Sequence, residues 1–394
     1  MQRMSAFKIR PFALLTWCLL LPTLSAATEI PLHADRGPRD FELIAGGDVS
    51  HPRGRWNNLL ERQNTDLFAE VSAYAQAADL AFVNLESPYT DAEYFLDKRY
   101  PFATPPARIN YVLQSGFNLF SLANNHMFDC GPQGVDDTLG IFERQRERLA
   151  RGGPRNPGER EAVFWAGASR SARSAYEPMI FQIPGKEIKV AFHAFGYARS
   201  NLVPVPSARG VRAVREHAEQ VDFTIVSLHY GKEYQHVPEA RHTRIYRRMI
   251  DAGADIVIGH HPHVIQGIEP YKEGIIFYSL GNFSMASKTV RHRATGARLY
   301  GLMPRVYVRD GRVEGAELVP LYVNNMEHFN VGDQRLRYTN FRPQVLSGVF
   351  AQKVLTDLRE WTHAIPGISQ RGTDAYQIRG DRAWVQVRQP TETP

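Results

Sequence analysis

The sequence predicts an α/β fold, and two recurring features support this prediction. Short apolar runs end in a polar side chain with useful chemistry, as at 78–86, 221–229 and 254–261. Near-continuous apolar runs of this length are typical of strands that are buried on both faces. Segments with helical patterns lie between these runs. Because strands that alternate with helices form right-handed crossovers, the sequence favours a largely parallel sheet covered by helices.

The first half of the chain contains five of the predicted elements. They are a strand at 41–48, a helix at 57–77, a strand at 78–86, a strand within 116–126 and a helix at 132–149. Pro132 and Asp136 lie near the start of the last helix, where both residue types are favoured.

The second half contains the remaining predicted elements. They are two strands within 179–197 that turn near Gly185, a strand at 221–229, a helix at 238–252, a strand at 254–261, an antiparallel pair within 298–323 that turns at Asp310 and Gly311, a helix at 343–362 and a hairpin at 375–387. We expect residues 28–330 to form the main domain. We expect residues 331–394 to form a C-terminal extension, a helix and a hairpin that pack on this domain.

Residues 1–27 have the features of a secretory signal peptide. A basic start is followed by an apolar stretch at 11–24 and by the small residues Ser25, Ala26 and Ala27. The apolar stretch is short for a membrane span of about 20 residues, although an uncleaved anchor is the alternative. We therefore expect a secreted or periplasmic protein.

Charge and cysteine content restrict the function further. The formal net charge of +6 falls by three when the basic residues of 1–27 are removed, which is too little to indicate nucleic-acid binding. Of the two cysteines only Cys130 remains, so the exported chain has no internal disulfide and depends on its core for stability.

Polar residues at the ends of five predicted strands form a candidate metal site. In α/β sheets the active site lies beyond the carboxyl ends of the strands, so these side chains should meet there. The predicted ligands are Asp48, Glu86, Asn125, His229, His261 and His263. A mixed oxygen and nitrogen set suits Mn²⁺, Fe or Zn²⁺, as one ion or as two ions that share a carboxylate.

The segment "DIVIGHHPH" at 255–263 offers three imidazoles at one strand end. In an extended segment His261 and His263 would point to the same side, whereas His260 would point to the other. We therefore predict His261 and His263 as the ligands and His260 as a supporting residue.

Several motifs in this order resemble the bacterial capsule-synthesis CapA family, which is known for poly-γ-glutamate capsules. They are "GGD" at 46–48, "NLE" at 84–86, "LANNHMFDCGPQGVDDT" at 122–138, "SLHYGKEY" at 227–234, "DAGADIVIGHHPHVIQ" at 251–266 and "IFYSLGNF" at 276–283. The family is similar in fold to calcineurin-like metallophosphatases. The resemblance therefore implies a four-layer α/β/β/α sandwich with C-terminal antiparallel strands and a helix.

The resemblance also implies roles for individual residues. Asp48 matches the first-motif aspartate, Glu86 the bridging carboxylate and Asn125 the ligand asparagine, while His126 matches the histidine that assists the leaving group. His229, His261 and His263 match the remaining ligand histidines. The first motif departs from the usual Asp-x-His, because Ser50 occupies the histidine position and His51 comes one residue later. The first metal position is therefore expected to be weaker or differently built, and a site with one ion is the alternative. Supporting or substrate-binding roles are assigned to a further set: His51, Asn84, Glu233, His260 and Asn282.

Two functions from different classes follow. The first is a metal-dependent hydrolase of the metallophosphatase type, acting on a phosphoester or on a polyglutamate polymer. The second is a non-catalytic component that holds an anionic polymer during capsule synthesis or export. Both involve an anionic ligand and are compatible with membrane capsule-synthesis proteins as partners, and neither involves nucleic acid.

Overall fold

The structure, a computed structural model, describes residues 37–54, 66–197, 199–285, 290–297, 299–323, 328–336 and 342–388. The predicted signal peptide lies outside the described residues. No helix within the described ranges is long and apolar enough to cross a membrane.

Eighteen strands occur in the described part of the chain. They are β1 (Phe41–Ser50), β2 (Leu80–Leu85), β3 (Leu119–Ser121), β4 (Phe164–Ala166), β5 (Met179–Gln182), β6 (Lys189–Gly196), β7 (Phe223–His229), β8 (Ile256–His260), β9 (Ile268–Tyr271), β10 (Gly274–Phe277), β11 (Asn282–Met285), β12 (Tyr300–Arg309), β13 (Arg312–Tyr322), β14 (Phe329–Val331), β15 (Gln334–Leu336), β16 (Gln344–Val345), β17 (Tyr376–Arg379) and β18 (Arg382–Gln386).

Two mixed sheets form the centre of the protein. The first has the order β17-β18-β13-β12-β1-β2-β3-β4, with β11 paired to β1 and β16 paired to β13. The second has the order β5-β6-β7-β8-β10-β9. Neighbouring strands are parallel from β1 to β4 and from β6 through β8 to β10, whereas antiparallel strands extend both sheets. The single largely parallel sheet predicted from the strand and helix alternation is therefore two sheets, each with a parallel centre.

The two sheets pack face to face. Phe41 meets Phe223 with ring centroids 5.0 Å apart, and Phe82 meets Phe192 at 6.0 Å. Each pair joins one strand of the first sheet to one strand of the second. Buried aromatic pairs of this kind contribute about 0.5–1.5 kcal/mol beyond the area they bury.

Helices cover the two outer faces. In β7, Val226 and Leu228 belong to an apolar cluster with helix residues such as Met249, while the intervening Ile225 belongs to the core between the sheets. On the other side Phe120 of β3 contacts the helix residue Phe142 at 5.1 Å. This alternation of inward and outward side chains gives four layers, α/β/β/α, and confirms the predicted fold class.

The described helices are mostly those that the sequence predicts. They are α1 (Ala69–Ala77), α2 (Ile109–Leu113), α3 (Gly131–Ala150), α4 (Ala208–Ala218), α5 (Ala240–Asp251), α6 (Val290–Ala294), α7 (Gly348–His363) and α8 (Gln370–Asp374). The helix predicted at 57–77 is described only over its second part, because residues 55–65 lie outside the described ranges. The helix predicted at 343–362 begins later, since Gln344–Val345 pairs with β13.

The last two strands form a hairpin that pairs with β13 and so continues the first sheet. Ser369 accepts a hydrogen bond from Gly372 N and thereby caps α8 just before this hairpin. The hairpin predicted at 375–387 is thus present, as is the predicted turn of the β12–β13 pair at Asp310 and Gly311.

Candidate metal centre

Six polar side chains meet where the parallel strands of the two sheets end. Asp48 lies near the end of β1, Glu86 directly after β2 and His229 at the end of β7. Asn125 follows β3, and His261 and His263 follow β8. All of these side chains except Asn125 are at least nine-tenths buried. The structure therefore brings together the six residues that were predicted as ligands.

A close approach between strands β1 and β11 places Asp48. A Cβ atom at Gly47 would lie 2.0 Å from the carbonyl oxygen of Gly281, so no other residue fits here without moving the backbone. Asp48 N donates to the same carbonyl at 3.0 Å. The strand is thus held against the loop that leads into β11, and the Asp48 carboxylate faces the site.

Asp48 is surrounded by imidazole and amide groups. Its Oδ1 accepts a hydrogen bond from Asn84 Nδ2 at 2.7 Å and lies 3.4 Å from His260 Nδ1. Burial alone would raise the pKa of Asp48, but the imidazoles of His260, His229 and His263 hold it below its usual value. Asp48 is therefore ionised at neutral pH and available as a ligand.

Glu86 is the residue that most clearly lacks a partner. It is fully buried, and neither carboxylate oxygen has a hydrogen-bond partner within the described part of the chain. Burial raises the pKa of Glu86 well above its usual value, and the neighbouring carboxylates of Asp48 and Glu233 raise it further. A buried carboxylate without a partner is costly, so Glu86 is suited to serve as a cation ligand.

One set of ligand atoms surrounds His229 Nε2. Asn125 Oδ1 lies 2.8 Å from this nitrogen, His261 Nδ1 lies 3.1 Å away and Glu86 Oε1 lies 3.5 Å away. Adjacent ligands of an ion with bonds of about 2.1 Å are about 3 Å apart in octahedral geometry. These atoms form a candidate ligand group around one imidazole nitrogen.

A second set shares Glu86. Asp48, Glu86 and His263 offer ligand atoms that lie within 4.8 Å of one another, and all three residues are buried. Asn282 Oδ1 lies 2.9 Å from His263 Nδ1, which fixes the orientation of the ring. Glu86 belongs to both sets, which is the position that a carboxylate shared by two ions would take, so one ion or two ions stays a prediction.

The backbone after β8 differs from the extended segment that the sequence predicted. His261 and His263 have φ values of 93° and 60°, in the left-handed region that is costly for residues with a Cβ. Tyr234 N donates to Pro262 O at 2.9 Å and so helps to hold this turn. The same-side prediction from strand geometry is therefore wrong in its reasoning: a strained turn, not an extended strand, directs both rings into the site.

The remaining predicted residues lie around this cluster in different ways. Neither ring nitrogen of His260 has a hydrogen-bond partner among the described residues, and the ring packs on Phe82 at 5.4 Å. His51 Nε2 lies 2.8 Å from Ser284 Oγ, so it faces β11. Ser50, at the expected histidine position, donates to the backbone oxygen of Glu86 at 3.3 Å.

His126 is held by residues that the sequence interpretation missed. Its Nδ1 lies 2.7 Å from Asp129 Oδ2, and its ring stacks on Phe102 with centroids 3.8 Å apart. Lys98 Nζ donates to Asp129 Oδ1 at 2.7 Å and to Asn125 O at 2.9 Å. Asp129, three residues after His126, could have been predicted from the sequence, whereas Lys98 and Phe102 come from a loop with no such signal.

The other nitrogen of His126 faces the candidate metal centre. Nε2 lies 4.0 Å from Glu86 Oε1. Burial lowers the pKa of His126 to about 4, although the hydrogen bond with Asp129 opposes this effect. The imidazole is thus neutral at pH 7. Its Nδ1 contacts both Asp129 Oδ2 at 2.7 Å and Lys98 Nζ at 3.2 Å, and the shorter contact with the accepting carboxylate favours a proton on Nδ1.

A cavity of ≈ 980 Å³ opens above the site. His126, His263 and Asn125 form its floor, and Glu233 and Tyr234 form part of its wall. The volume is at the upper end of the range for small-ligand sites. The centre therefore faces a space large enough for a substrate.

The four-layer sandwich and the buried carboxylate, amide and imidazole set define an α/β/β/α protein with a candidate metal centre. The profile of the family described as bacterial capsule synthesis protein PGA_cap matches residues 42–287. This match covers more than half of the chain, so the chain belongs to that family, as the motif resemblance predicts.

Named relatives agree with this assignment. The capsule biosynthesis protein CapA of Bacillus anthracis is 28% identical over 294 residues, which are 70% of this chain and 66% of that protein. The PGA biosynthesis protein CapA of Bacillus subtilis (strain 168) is 30% identical over 272 residues, 65% of this chain and 66% of that protein. A probable polyglutamine synthesis accessory protein of Mycobacterium tuberculosis is 29% identical over 229 residues, 52% of this chain and 55% of that protein. The matches span about two thirds of the first two relatives and about half of the third.

Proposed function

We propose that this chain is a metal-dependent hydrolase that serves capsule or polyglutamate synthesis and cleaves a phosphoester or an amide bond of the polymer. The observation that carries this proposal is Glu86, a fully buried carboxylate without a hydrogen-bond partner in the described ranges, placed between two sets of potential ligands. The printed names of the relatives support the link to capsule and polyglutamate synthesis.

The protein's own residues supply the other parts of the reaction. Asp129 holds the His126 proton on Nδ1, which leaves Nε2 free to accept a proton at the site and to return it to a leaving group. Lys98 and Phe102 keep the ring in this orientation. A divalent ion, when bound, would supply Lewis-acid polarisation and a more acidic water.

The test combines metal analysis with a substrate panel. After loading with Mn²⁺ or Zn²⁺, the purified protein should retain at least one ion and should hydrolyse a phosphodiester or a γ-glutamyl oligomer. Asp48→Asn should lose both properties, whereas the surface variant Arg312→Gln should lose neither. Absence of bound metal after loading would refute the proposal.

A non-catalytic role is the second candidate. Arg99, Arg199 and Arg291 line the cavity and favour this role, because they suit an anionic polymer that is held without cleavage. If this role is correct, the metal-loaded protein should bind γ-glutamyl oligomers, and the length of the oligomers should be unchanged after long incubation. Product formation that depends on Asp48 would exclude this role.

We further propose that the protein is exported and works beside membrane proteins of capsule synthesis. The basic and apolar pattern of residues 1–27 supports export. N-terminal sequencing of protein from its host should give a start near Ala27 or Thr28. A start at Met1 in the membrane fraction would instead show an uncleaved anchor.

A further inference from the structure

We infer that Arg99, Arg199 and Arg291, together with Tyr100 and Val290, form a binding subsite for a carboxylate-bearing carbon chain that extends out of the metal centre. We call these five residues the cavity rim. The inference deepens the proposed function and rests on it only for the identity of the polymer, which is a chain of glutamate units.

The arginines reach the cavity from three separate segments. Arg99 belongs to the loop between β2 and α2, Arg199 follows β6 and Arg291 lies in α6. All three side chains line the same cavity and are exposed. Because the three arginines are far apart in the sequence, the fold, and not a basic stretch of sequence, brings them to one cavity.

These guanidinium groups have no carboxylate partner within ion-pair distance among the described residues. Other arginines of the protein are paired, for example Arg305 with Glu42 at 2.6 Å and Arg247 with Glu269 at 2.8 Å. Lys98 also lines the cavity, but Asp129 neutralises it at 2.7 Å. The arginine donors of the rim thus remain available for an anionic ligand.

The cavity also contains two acidic residues, Asp97 and Glu233. Glu233 lies on the side of the metal centre, because its charge acts on Glu86 and Tyr234. The negative charge of Glu233 should repel an anionic ligand unless a metal ion is bound at the neighbouring centre. The arrangement favours a ligand whose reacting group meets the metal centre while its other anionic groups lie along the arginines.

The apolar side chains of the cavity rim favour an anionic polymer that also has a carbon chain. Tyr100 is 53% exposed and Val290 is 78% exposed, and both line the cavity beside the arginines. Exposed apolar groups at a cavity mouth are typical of ligand contacts. A glutamate chain offers methylene groups to Tyr100 and Val290 and carboxylates to the arginines, whereas an inorganic polyphosphate offers only anions.

The size of the cavity agrees with an extended ligand. Its volume of ≈ 980 Å³ is that of a site for a large small molecule, so a single amino acid would leave most of it unfilled. Affinity should therefore rise with the number of glutamate units until the chain spans the rim.

The test measures binding of fluorescent γ-glutamyl oligomers of one, three, six and ten units, by anisotropy, to the metal-loaded full chain. Affinity should increase with length and fall with added salt. Each of Arg99→Gln, Arg199→Gln and Arg291→Gln should weaken decamer binding about two- to fivefold, and the triple variant at least about tenfold. Tyr100→Ala should weaken the decamer more than an inorganic polyphosphate of equal charge.

Two controls separate this inference from the proposed function. Arg312→Gln removes an exposed arginine at the start of β13, and the β1–β12–β13 register places it beyond Phe41, at the end of β1 opposite Asp48. This variant should bind as the wild type does. Asp48→Asn should lose metal but keep the salt-dependent, arginine-dependent part of the binding.

Three results would overturn the inference. They are unchanged decamer affinity in the triple variant, equal affinity for one unit and ten units, and polyphosphate binding as tight as decamer binding with the same response to Tyr100→Ala. If the metal-loaded wild type binds the decamer as expected but does not hydrolyse it, only the hydrolase proposal is refuted.

Discussion

Replacing Glu86 with glutamine should stabilise the metal-free protein and destabilise the metal-loaded protein relative to wild type. The Glu86 carboxylate is fully buried, and its Oε1 lies 3.5 Å from His229 Nε2 and 4.0 Å from the Nε2 atoms of His126 and His263. Glutamine has nearly the same shape without the charge. At pH 8 the wild type must either bury this charge or take up a proton to fold, and glutamine avoids both costs, so we expect a gain of about 1–3 kcal/mol in the free energy of unfolding at pH 8 in chelator.

The pH dependence has a definite sign. Burial and Asp48 raise the pKa of Glu86 in the folded protein, so the folded state keeps a proton that the unfolded state has lost. Its contribution to stability is complete below the unfolded value of 4.5 and is lost as the pH rises from there towards the folded value. The difference between Glu86→Gln and wild type should therefore be small near pH 4.5 and should grow towards pH 8.

Bound metal should reverse the order of stability. An ion at 100 times its dissociation constant stabilises the wild type by about 2.7 kcal/mol, and the variant should bind it more weakly. Urea unfolding with chelator and with Mn²⁺, at pH 4.5, 6 and 8, measures both effects. A lower unfolding free energy for the variant in chelator at pH 8 would refute the reasoning.

A matched control is Glu269→Gln. Glu269 is equally buried but accepts hydrogen bonds from Arg247 Nη2 at 2.8 Å and from Tyr278 Oη at 2.6 Å. Loss of this charge weakens the pair with Arg247, so we expect destabilisation by about 1–3 kcal/mol with and without metal. The opposite signs of the two glutamine variants are the specific expectation.

Three further predictions concern the same site. Asn282→Ala frees the ring of His263 and should weaken metal binding about 10–100-fold by calorimetry; it should also lower the unfolding free energy by about 1–3 kcal/mol, because Asn282 is buried and its Nδ2 donates to Ala297 O at 2.8 Å. His126→Ala should keep wild-type metal content but lose about 10²–10⁴-fold in turnover on any substrate that the wild type cleaves; equal turnover would remove it from the mechanism. Gly259→Ala would place a Cβ 2.1 Å from Tyr278 O and should lower the unfolding free energy by about 1–3 kcal/mol, whereas Gly37→Ala, with contacts of 3.5 Å or more, should not.

Strand positions and the residues at strand ends could be predicted from the sequence. Runs such as 221–229 are buried on both faces, so their apolar character is continuous, and a polar residue such as His229 at the end stands out. The carboxyl ends of parallel strands share one edge, and this geometry brings Asp48 close to Glu86 in the first sheet and His229 close to His261 in the second. The meeting of the two edges results from the packing of the sheets.

The division into two sheets could not be predicted from the strand patterns themselves. Strands β1 to β4 and strands β6 to β8 have the same near-continuous apolar pattern, because the strands of both sheets are covered on both faces. The decisive contacts, such as Phe82 with Phe192, join residues more than 100 positions apart. Only the motif resemblance indicated the four-layer arrangement.

The surroundings of His126 were missed for a different reason. Lys98 and Phe102 belong to a loop whose composition has no periodicity. Their positions depend on hydrogen bonds that Phe95 N donates to the carbonyl oxygen of Asp129 and that Phe102 N donates to Asp129 Oδ2. A tertiary contact of this kind leaves no trace at a fixed sequence spacing.

The unfavourable features of the candidate metal centre are compatible with a stable fold, because the centre and the sandwich core are formed by different residues. His261 and His263 adopt left-handed backbone angles and Glu86 is buried without a partner in the described ranges, and each of these features is unfavourable in the metal-free protein. The sandwich core, in contrast, is formed by apolar pairs such as Phe41 with Phe223, which lie at the starts of β1 and β7, whereas Asp48 and His229 lie towards the ends of these strands. The core therefore fixes the strand ends, and the strand ends force the ligands together before any ion arrives. An ion that binds such a preorganised set recovers the cost of the buried carboxylate, which is why we expect metal to add stability without being required for folding.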